Sequence, residues 1–187
     1  MKPLTPSIPH VIILLGIPGA GKTHFAEHFA KMFHAPYINV KAIRTIAKTS
    51  DEAALTLSSL MLDELLKTQR TIIYEGPTQN RVFRQSLYKQ VADAGYKPLL
   101  VWVQTESNEA MRRATKKGSD LNPEAFNQAV TRFHTPIAIE KPVVISGKHT
   151  YTTQVKIVLK HLAGVRPTGE IKPESRPRSG GRSIILR

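Results

Sequence analysis

Residues 10–23, His-Val-Ile-Ile-Leu-Leu-Gly-Ile-Pro-Gly-Ala-Gly-Lys-Thr, decide the fold of this 187-residue chain. The first six form a short, mostly apolar run that ends at a glycine, which is typical of a buried β-strand. The last eight match the pattern GxxxxGK followed by Ser or Thr, in which a glycine-rich loop joins a strand to a helix. Backbone N–H groups of such a loop point inward at phosphate oxygens, and the helix dipole adds positive potential. The stretch therefore predicts a strand, a phosphate-binding loop and a helix in succession.

Each residue of the phosphate-binding loop has an expected task. Lys22 is expected to be half-exposed and to reach the β and γ phosphates of a nucleoside triphosphate, and the Thr23 hydroxyl is expected to complete a Mg²⁺ shell. The residues predicted to hold the nucleotide are Gly16, Ile17, Pro18, Gly19, Ala20, Gly21, Lys22 and Thr23. Whether the phosphate is then transferred is a separate question, because the same loop serves kinases, ATPases and switches.

Beyond the loop, strand-length apolar runs alternate with segments of helical period from residue 9 to residue 163. This alternation indicates βαβ units, because parallel strands are joined by helical crossovers. The predicted strands span residues 10–15, 36–40, 71–74, 99–103 and 142–145, and the predicted helices span 22–33, 49–68, 81–94, 107–115 and two later segments that contain Pro123 and Val155. The predicted fold class is α/β, a P-loop NTPase three-layer sandwich with a five-stranded parallel sheet and helices on both faces.

Local patterns predict how several helices begin. Thr49 with Glu52 forms a capping box for the helix that follows. Asn122 followed by Pro123 is typical of an N-cap and a first helical position. Ile46 is interpreted, with the apolar residues before it, as part of the buried side of a helical start.

The composition excludes several classes of function. The chain has no cysteine, so it has no disulfide, thiolate zinc site or thiol catalyst, which fits a cytoplasmic location. The first ten residues lack a long apolar core and predict neither a signal peptide nor a membrane span. Lys and Arg number 27 against 14 Asp and Glu, a formal net charge of +13. This charge favours a polyanionic partner such as nucleic acid or nucleotide, although a generally basic protein without such a partner explains it equally well.

From residue 16 to about residue 163 the order of motifs resembles the small P-loop kinases related to polynucleotide kinase and zeta toxin, often grouped with the AAA-family ATPases. The similarity lies in the loop, in Arg44 after the second strand, in Glu75 closing the third strand and in Arg84 in the next helix. Residues 112–118, Arg-Arg-Ala-Thr-Lys-Lys-Gly, are similar to the Arg-Arg-Asn-Ser-Lys-Arg-Gly of polynucleotide kinases. The resemblance implies a kinase that uses ATP and Mg²⁺. ATP is favoured over GTP by this analogy, since no Asn-Lys-x-Asp stretch is present.

The resemblance also implies roles for basic residues outside the loop. In these enzymes a basic lid closes over the triphosphate, which places Arg113 and Lys117 in catalytic roles. Arg112 and Arg113 point about 100° apart on a helix, so at most one of them faces the γ-phosphate. Lys41 and Arg44 are expected to face a phosphoryl acceptor, which is a nucleotide, a polynucleotide 5′ end or another small hydroxyl compound.

Two departures from the family pattern leave the function open. Residues 39–44, Asn-Val-Lys-Ala-Ile-Arg, lack the acid that serves as general base in the family. Glu75 stands where an aspartate is usual, and three roles are considered for it: holding a Mg²⁺-bound water beside Thr23, polarising water, or capping the turn that follows. The sequence therefore predicts an ATP-dependent kinase or ATPase. The alternative is a catalytically weak, nucleotide-dependent switch protein that binds nucleic acid or a protein partner.

Three regions are predicted along the chain: an N-terminal arm (1–9), a P-loop kinase-like NTPase domain (10–164) and a disordered basic C-terminal tail (165–187). The tail holds five arginines among glycines, serines and prolines and shows no helical period. It could contact a nucleic-acid backbone, or add the strand-like residues 183–186 to a protein partner, or serve only as a solubilising terminus.

Overall fold

The computed structural model describes residues 8–116 and 121–163. Its strands are β1 (His10–Leu15), β2 (Tyr37–Asn39), β3 (Ile72–Glu75), β4 (Lys97–Gln104) and β5 (Val143–Ser146). They form one parallel sheet in the order β2-β3-β1-β4-β5. β1 pairs with β3 on one side and β4 on the other, and all six of its residues are buried. Because the strands are parallel, the carboxyl ends of β1, β2 and β3 meet at one edge of the sheet.

Helices cover both faces of the sheet. In the described ranges the α-helices are α1 (Lys22–Phe33), α2 (Val40–Ala47), α3 (Asp51–Leu66), α4 (Arg81–Asp93), α5 (Ser107–Ala114), α6 (Pro123–Thr131) and α7 (Tyr151–Ala163). Ile12 and Leu14 belong to a core shared with α1 and α7. Val11 and Ile13 point the other way, into a core shared with α2, α3 and α4. The predicted three-layer α/β sandwich with five parallel strands is therefore confirmed.

Side-chain caps mark where α3 and α6 begin. Asn122 caps α6 through a hydrogen bond to a backbone N–H, and Pro123 occupies the first turn, as predicted. The prediction of Thr49 as the cap of α3 is wrong by one residue. The Ser50 side chain accepts instead, from the backbone N–H of Ala53 at 3.2 Å. Ser50 has the extended backbone that an N-cap requires, so its hydroxyl can accept from an otherwise unpaired backbone N–H in the first turn of α3.

The segment between β2 and α3 forms a helix of its own, α2. The side chain of Asn39 caps it by accepting from the backbone N–H of Ala42 at 3.0 Å. Val40 lies in the core and Ile43 packs against it. The predicted burial of Ile46 is wrong, since this residue is 82% exposed. Six residues after Val40, it is turned by about 240° around the helix, away from the sheet.

Residues 1–7, 117–120 and 164–187 lie outside the described residues. The predicted tail, the predicted lid residue Lys117 and most of the predicted N-terminal arm fall among them, so these remain predictions. None of the helices in the two described ranges is both long enough and apolar enough to cross a bilayer.

Candidate functional site

The phosphate-binding loop joins β1 to α1 at the carboxyl edge of the sheet and is packed tightly against its neighbours. Gly19 has a φ of 76°, and a Cβ there would lie 2.0 Å from the carbonyl oxygen of Ala110 in α5. Gly147, in the turn after β5, approaches from another side, and a Cβ there would lie 2.1 Å from the carbonyl oxygen of Ala20. No side chain fits at either position. The close approach fixes the loop between α5 and the β5–α7 turn.

Lys22 lies folded against its own loop. Its Nζ donates to the carbonyl oxygens of Gly16 at 2.8 Å and Ile17 at 3.1 Å. Burial lowers the pKa of Lys22, and the negative charge of Glu75 opposes this shift. The Lys22 side chain is therefore partly buried against its own loop. The hydrogen-bond partners of the Lys22 ammonium in the phosphate-binding loop are thus neutral carbonyl groups.

Glu75 connects the loop to the neighbouring strand. At the end of β3, its Oε1 accepts a hydrogen bond from Thr23 Oγ1, at the start of α1, at 2.9 Å. Pairing of β1 with β3 brings these residues together although 52 positions separate them in the chain. Hydroxyl and carboxylate oxygens are hard ligands of the kind that Mg²⁺ prefers, so this pair fits the ion. No group of three His, Cys, Asp or Glu in the described residues forms a metal cluster, so Mg²⁺ here would depend on phosphate and water as well.

Two residues that no sequence motif singles out, Tyr37 and Asn39, complete the surroundings of Glu75. The Tyr37 hydroxyl donates to Glu75 Oε2 at 2.5 Å, and Asn39 Nδ2 donates to the Tyr37 hydroxyl at 2.8 Å. Burial raises the pKa of Tyr37, and the charge of Glu75 raises it further. The sequence signal for these two residues is their spacing, because polar residues two positions apart in a strand lie on the same face. In the sheet, the register then pairs Asn39 with Glu75.

Arg113 lies on α5 beside the turn that follows β5. Its Nε donates to Glu109 Oε1 at 2.8 Å and its Nη1 donates to the carbonyl oxygen of Gly147 at 3.0 Å. Arg112 points elsewhere and binds Glu109 as well, at 2.8 and 2.9 Å. These two guanidinium groups hold the pKa of Glu109 down at about 2. Arg113 is thus brought next to the phosphate-binding loop, whereas Lys117 lies outside the described residues.

The predicted acceptor-binding residues Lys41 and Arg44 lie on α2, directly after the Asn39 cap. Lys41 is exposed. Arg44 forms a surface ion pair, with 2.9 Å between its Nη1 and Oδ1 of Asp51 at the start of α3. The structure therefore brings both residues onto the helix that begins next to Glu75.

A cavity of about 460 Å³ opens beside the phosphate-binding loop, on the side of β4 and β5. Ile17 of the loop, Trp102 of β4 and Phe133 after α6 are among its apolar lining residues. Its charged lining residues, Lys148 and Glu106, pair with each other at 2.9 Å. The Trp102 and Phe133 rings stack with their centroids 6.4 Å apart. The volume lies within the range that small-molecule ligands occupy.

Arg84, part of the family resemblance, is buried away from solvent and has structural partners. Its guanidinium donates to both carboxylate oxygens of Glu140, at 2.6 and 2.9 Å, and to the carbonyl oxygens of Thr78 and His134. Thr78 in turn donates to the carbonyl oxygen of Leu14 in β1. Arg84 therefore fastens the segment after α6 and the β3–α4 turn to the core.

A parallel sheet with its phosphate-binding loop after the central strand and an acid on the adjacent strand is the arrangement of P-loop kinases, and solved kinases share this fold. The gluconokinase of Sinorhizobium meliloti is 16% identical over 83% of this chain and 92% of its own, with a TM-score of 0.62. The APS kinase of Mycobacterium tuberculosis, solved in complex with AMPPNP and APS, is 17% identical over 83% of this chain and 98% of its own, with a TM-score of 0.63. The chain is thus P-loop kinase-like in structure.

The chain belongs to the KTI12 family. The family model described as "Chromatin associated protein KTI12" matches residues 10–175, from the first residue of β1 to beyond the end of α7. No curated protein matches the chain significantly. The predicted resemblance is confirmed at the level of a P-loop kinase-like fold, while a relation to polynucleotide kinase and zeta toxin in particular stays a prediction.

Proposed function

We propose that this chain binds ATP with Mg²⁺ and transfers the γ-phosphoryl group to a hydroxyl acceptor or to water. The observation that carries the proposal is the 2.9 Å hydrogen bond from Thr23 Oγ1 to Glu75 Oε1. This bond joins the phosphate-binding loop to a carboxylate on the adjacent strand. Phosphoryl transfer depends mainly on positioning and on charge stabilisation, and this pair would contribute to both by holding Mg²⁺ at the loop.

Lys22 and Thr23 are the loop residues that would meet the triphosphate. Lys22 would exchange its bonds to the Gly16 and Ile17 carbonyls for bonds to phosphate oxygens, because an anionic partner favours the charged form of a partly buried lysine. Thr23, which donates its proton to Glu75, keeps its oxygen lone pairs for the cation. Bound Mg²⁺ supplies a Lewis acid that offsets negative charge on the phosphate oxygens.

Basic residues around the loop would stabilise the transferred group and hold the acceptor. Arg113 is at the loop through its bond to Gly147 and would act as an arginine finger, with Lys117 beside it as the family resemblance implies. Lys41 and Arg44 would hold an anionic acceptor such as a nucleotide or a polynucleotide 5′ end. The cavity at Ile17 has the volume of a small-ligand site, which supports the small hydroxyl compound among the predicted acceptors.

A second candidate function is a nucleotide-dependent switch that binds nucleic acid or a protein with little turnover. The favouring observation is the absence of an acid in residues 39–44, together with the double engagement of Glu75 by Thr23 and Tyr37. A carboxylate that accepts from both neighbours is a poor candidate for taking a proton from an acceptor hydroxyl. The net charge of +13 and a family description that names chromatin support a polyanionic partner.

Single-turnover incubation with γ-labelled ATP separates the two candidates. The full chain is mixed with nucleosides, 5′-hydroxyl oligonucleotides or small polyols, and label on an acceptor or as free phosphate is followed over time. The kinase or ATPase proposal expects transfer that stops in EDTA and in Lys22→Ala. Tight ATP binding with no labelled product would instead support the switch, and a chain that retains no nucleotide in Mg²⁺ would overturn both.

A further inference from the structure

The carboxylate of Glu75 is held in one orientation by hydrogen bonds from neighbouring side chains. Glutamate has one more rotatable bond than aspartate, and ordering such a side chain costs conformational entropy. Here both oxygens are engaged, Oε1 by Thr23 at 2.9 Å and Oε2 by the Tyr37 hydroxyl at 2.5 Å. The second bond determines which oxygen is left for the loop.

Tyr37 is itself held by a residue with a fixed position. Asn39 Nδ2 donates to the Tyr37 hydroxyl at 2.8 Å, and the same amide uses its Oδ1 to accept from Ala42 N–H at the start of α2. The phenol therefore accepts from Asn39 and donates to Glu75, which fixes the direction of its proton. A chain of hydrogen bonds runs from α2 through Asn39, Tyr37 and Glu75 to Thr23.

We propose that Tyr37 is a positioning residue for the metal-binding pair: it holds Glu75 Oε2 so that Oε1 faces Thr23, and Asn39 holds Tyr37. This inference rests on the proposed function, because it takes Mg²⁺ with nucleotide as the ligand of the Thr23–Glu75 pair. Residues that orient metal-associated ligands in this way typically change metal affinity by about 10- to 100-fold when they are removed.

The test is the Mg²⁺ dependence of nucleotide binding in Tyr37→Phe, which keeps the ring and removes the hydroxyl. Binding of a fluorescent ATP analogue is titrated at a series of free Mg²⁺ concentrations and in EDTA. We expect the Mg²⁺ midpoint to rise by about tenfold or more, while affinity in EDTA stays within about twofold of wild type. Tyr96→Phe is the matched control, because that hydroxyl donates to the carbonyl oxygen of Leu65 at 3.3 Å, at the opposite edge of the sheet.

Two further variants test whether Tyr37 acts through Glu75 and is itself held by Asn39. In Glu75→Gln, the additional change Tyr37→Phe should shift the Mg²⁺ midpoint by less than about twofold, since the two residues act as one unit. Asn39→Ser keeps a good cap for α2 but removes the amide that donates to the Tyr37 hydroxyl at 2.8 Å and to Glu75 Oε2 at 3.5 Å. A shift of the same sign is therefore expected, and this variant tests the inference even if Tyr37→Phe fails to fold. An unchanged midpoint in these variants, or additive effects in the double variant, overturns the inference while leaving the proposed function intact. A wild-type chain with no Mg²⁺-dependent binding overturns the proposed function itself.

Discussion

At the scale of single residues, Lys22 shows how the loop is prepared for phosphate. Its ammonium is held by the Gly16 and Ile17 carbonyls, and burial lowers its pKa. A partly buried charge whose hydrogen-bond partners are neutral is less stable than one in water, and an anion at the same place removes that disadvantage. Lys22 is therefore a residue that favours ligand binding at the expense of the stability of the ligand-free chain.

Lys22→Met is expected to separate binding from stability. Because the pKa is lowered in the folded state, the unfolded chain binds this proton more tightly, and stability rises with pH from the lowered value up to the ordinary 10.5. The variant should melt at a higher temperature than wild type at neutral pH without ligand, and it should lose that alkaline rise. Its ATP affinity should fall by about tenfold or more, measured by titration calorimetry. A lower melting temperature with unchanged ATP affinity would contradict this account.

At the scale of elements, α5 is joined to the site by a cluster of charges at its end. Glu109 pairs with Arg112 and Arg113, and Arg113 reaches the turn after β5 through Gly147. The carboxylate thus orients the guanidinium predicted to face the phosphates. The pairing requires the ionised carboxylate, and it therefore lowers the pKa of Glu109 from 4.5 to about 2.

Glu109→Gln is expected to change the acid sensitivity of the protein. A lowered folded-state pKa contributes stability that is fully present above 4.5 and is lost as pH falls toward about 2. The melting temperatures of wild type and variant should therefore differ by a constant amount at neutral pH and converge between pH 4.5 and pH 2. Thermal melts over this pH range are the measurement, with Glu106→Gln as the control. A difference that stays constant down to pH 2 would show that Glu109 does not titrate there.

A buried ion pair holds α4 to the segment that follows α6. The side chains of Arg84 and Glu140 are 0% and 5% exposed, and the guanidinium binds both carboxylate oxygens. Removing one partner leaves a buried charge without compensation, which is far more destabilising than losing an exposed pair. This pair supports the site from a distance, because Thr78 beside it donates to Leu14 just before the loop.

Arg84→Met is expected to lower the free energy of unfolding by about 3–5 kcal/mol. The matched control is Arg44→Met, since Arg44 and Asp51 are 42% and 82% exposed and their pairing contributes less than about 1 kcal/mol. Urea unfolding followed by circular dichroism measures both. Similar losses in the two variants would mean that burial does not govern the strength of the Arg84–Glu140 pair.

At the scale of the whole molecule, the net charge of +13 bears on whether the chain binds nucleic acid. Phosphate contacts release condensed counterions, so affinity for a nucleic acid that is held by this charge falls steeply with salt. A nucleotide-dependent switch would in addition bind the nucleic acid differently in its ATP-bound state.

The affinity of the full chain for a 5′-fluorescein oligonucleotide is expected to fall by about tenfold or more between 50 and 200 mM salt. Fluorescence anisotropy with and without Mg²⁺ and ATP measures it, and Lys22→Ala shows whether the loop is responsible for any nucleotide effect. An affinity that is independent of salt would exclude backbone phosphates as the main contact. Equal affinities with and without ATP would count against the switch.

The sequence by itself determined the local features of this protein. The phosphate-binding loop, the five strands and the cap at Asn122 follow from periodicity and from residue types a few positions apart, because hydrogen bonds of turns and helices are local. Parallel pairing follows too, since strands joined by helical crossovers run in the same direction. These regularities predicted the α/β sandwich and the loop residues from Gly16 to Thr23.

Only the tertiary structure decided which distant side chains meet. The strand order places Asn39 opposite Glu75, and through it the Tyr37 hydroxyl becomes the second partner of that carboxylate. The burial of Arg84 against Glu140, 56 residues later, was equally out of reach of sequence patterns. The physical reason is that periodicity indicates which face of a helix or strand is apolar. Which elements become neighbours, and in which register two strands pair, depends on the energy of contacts between segments that are remote in the chain.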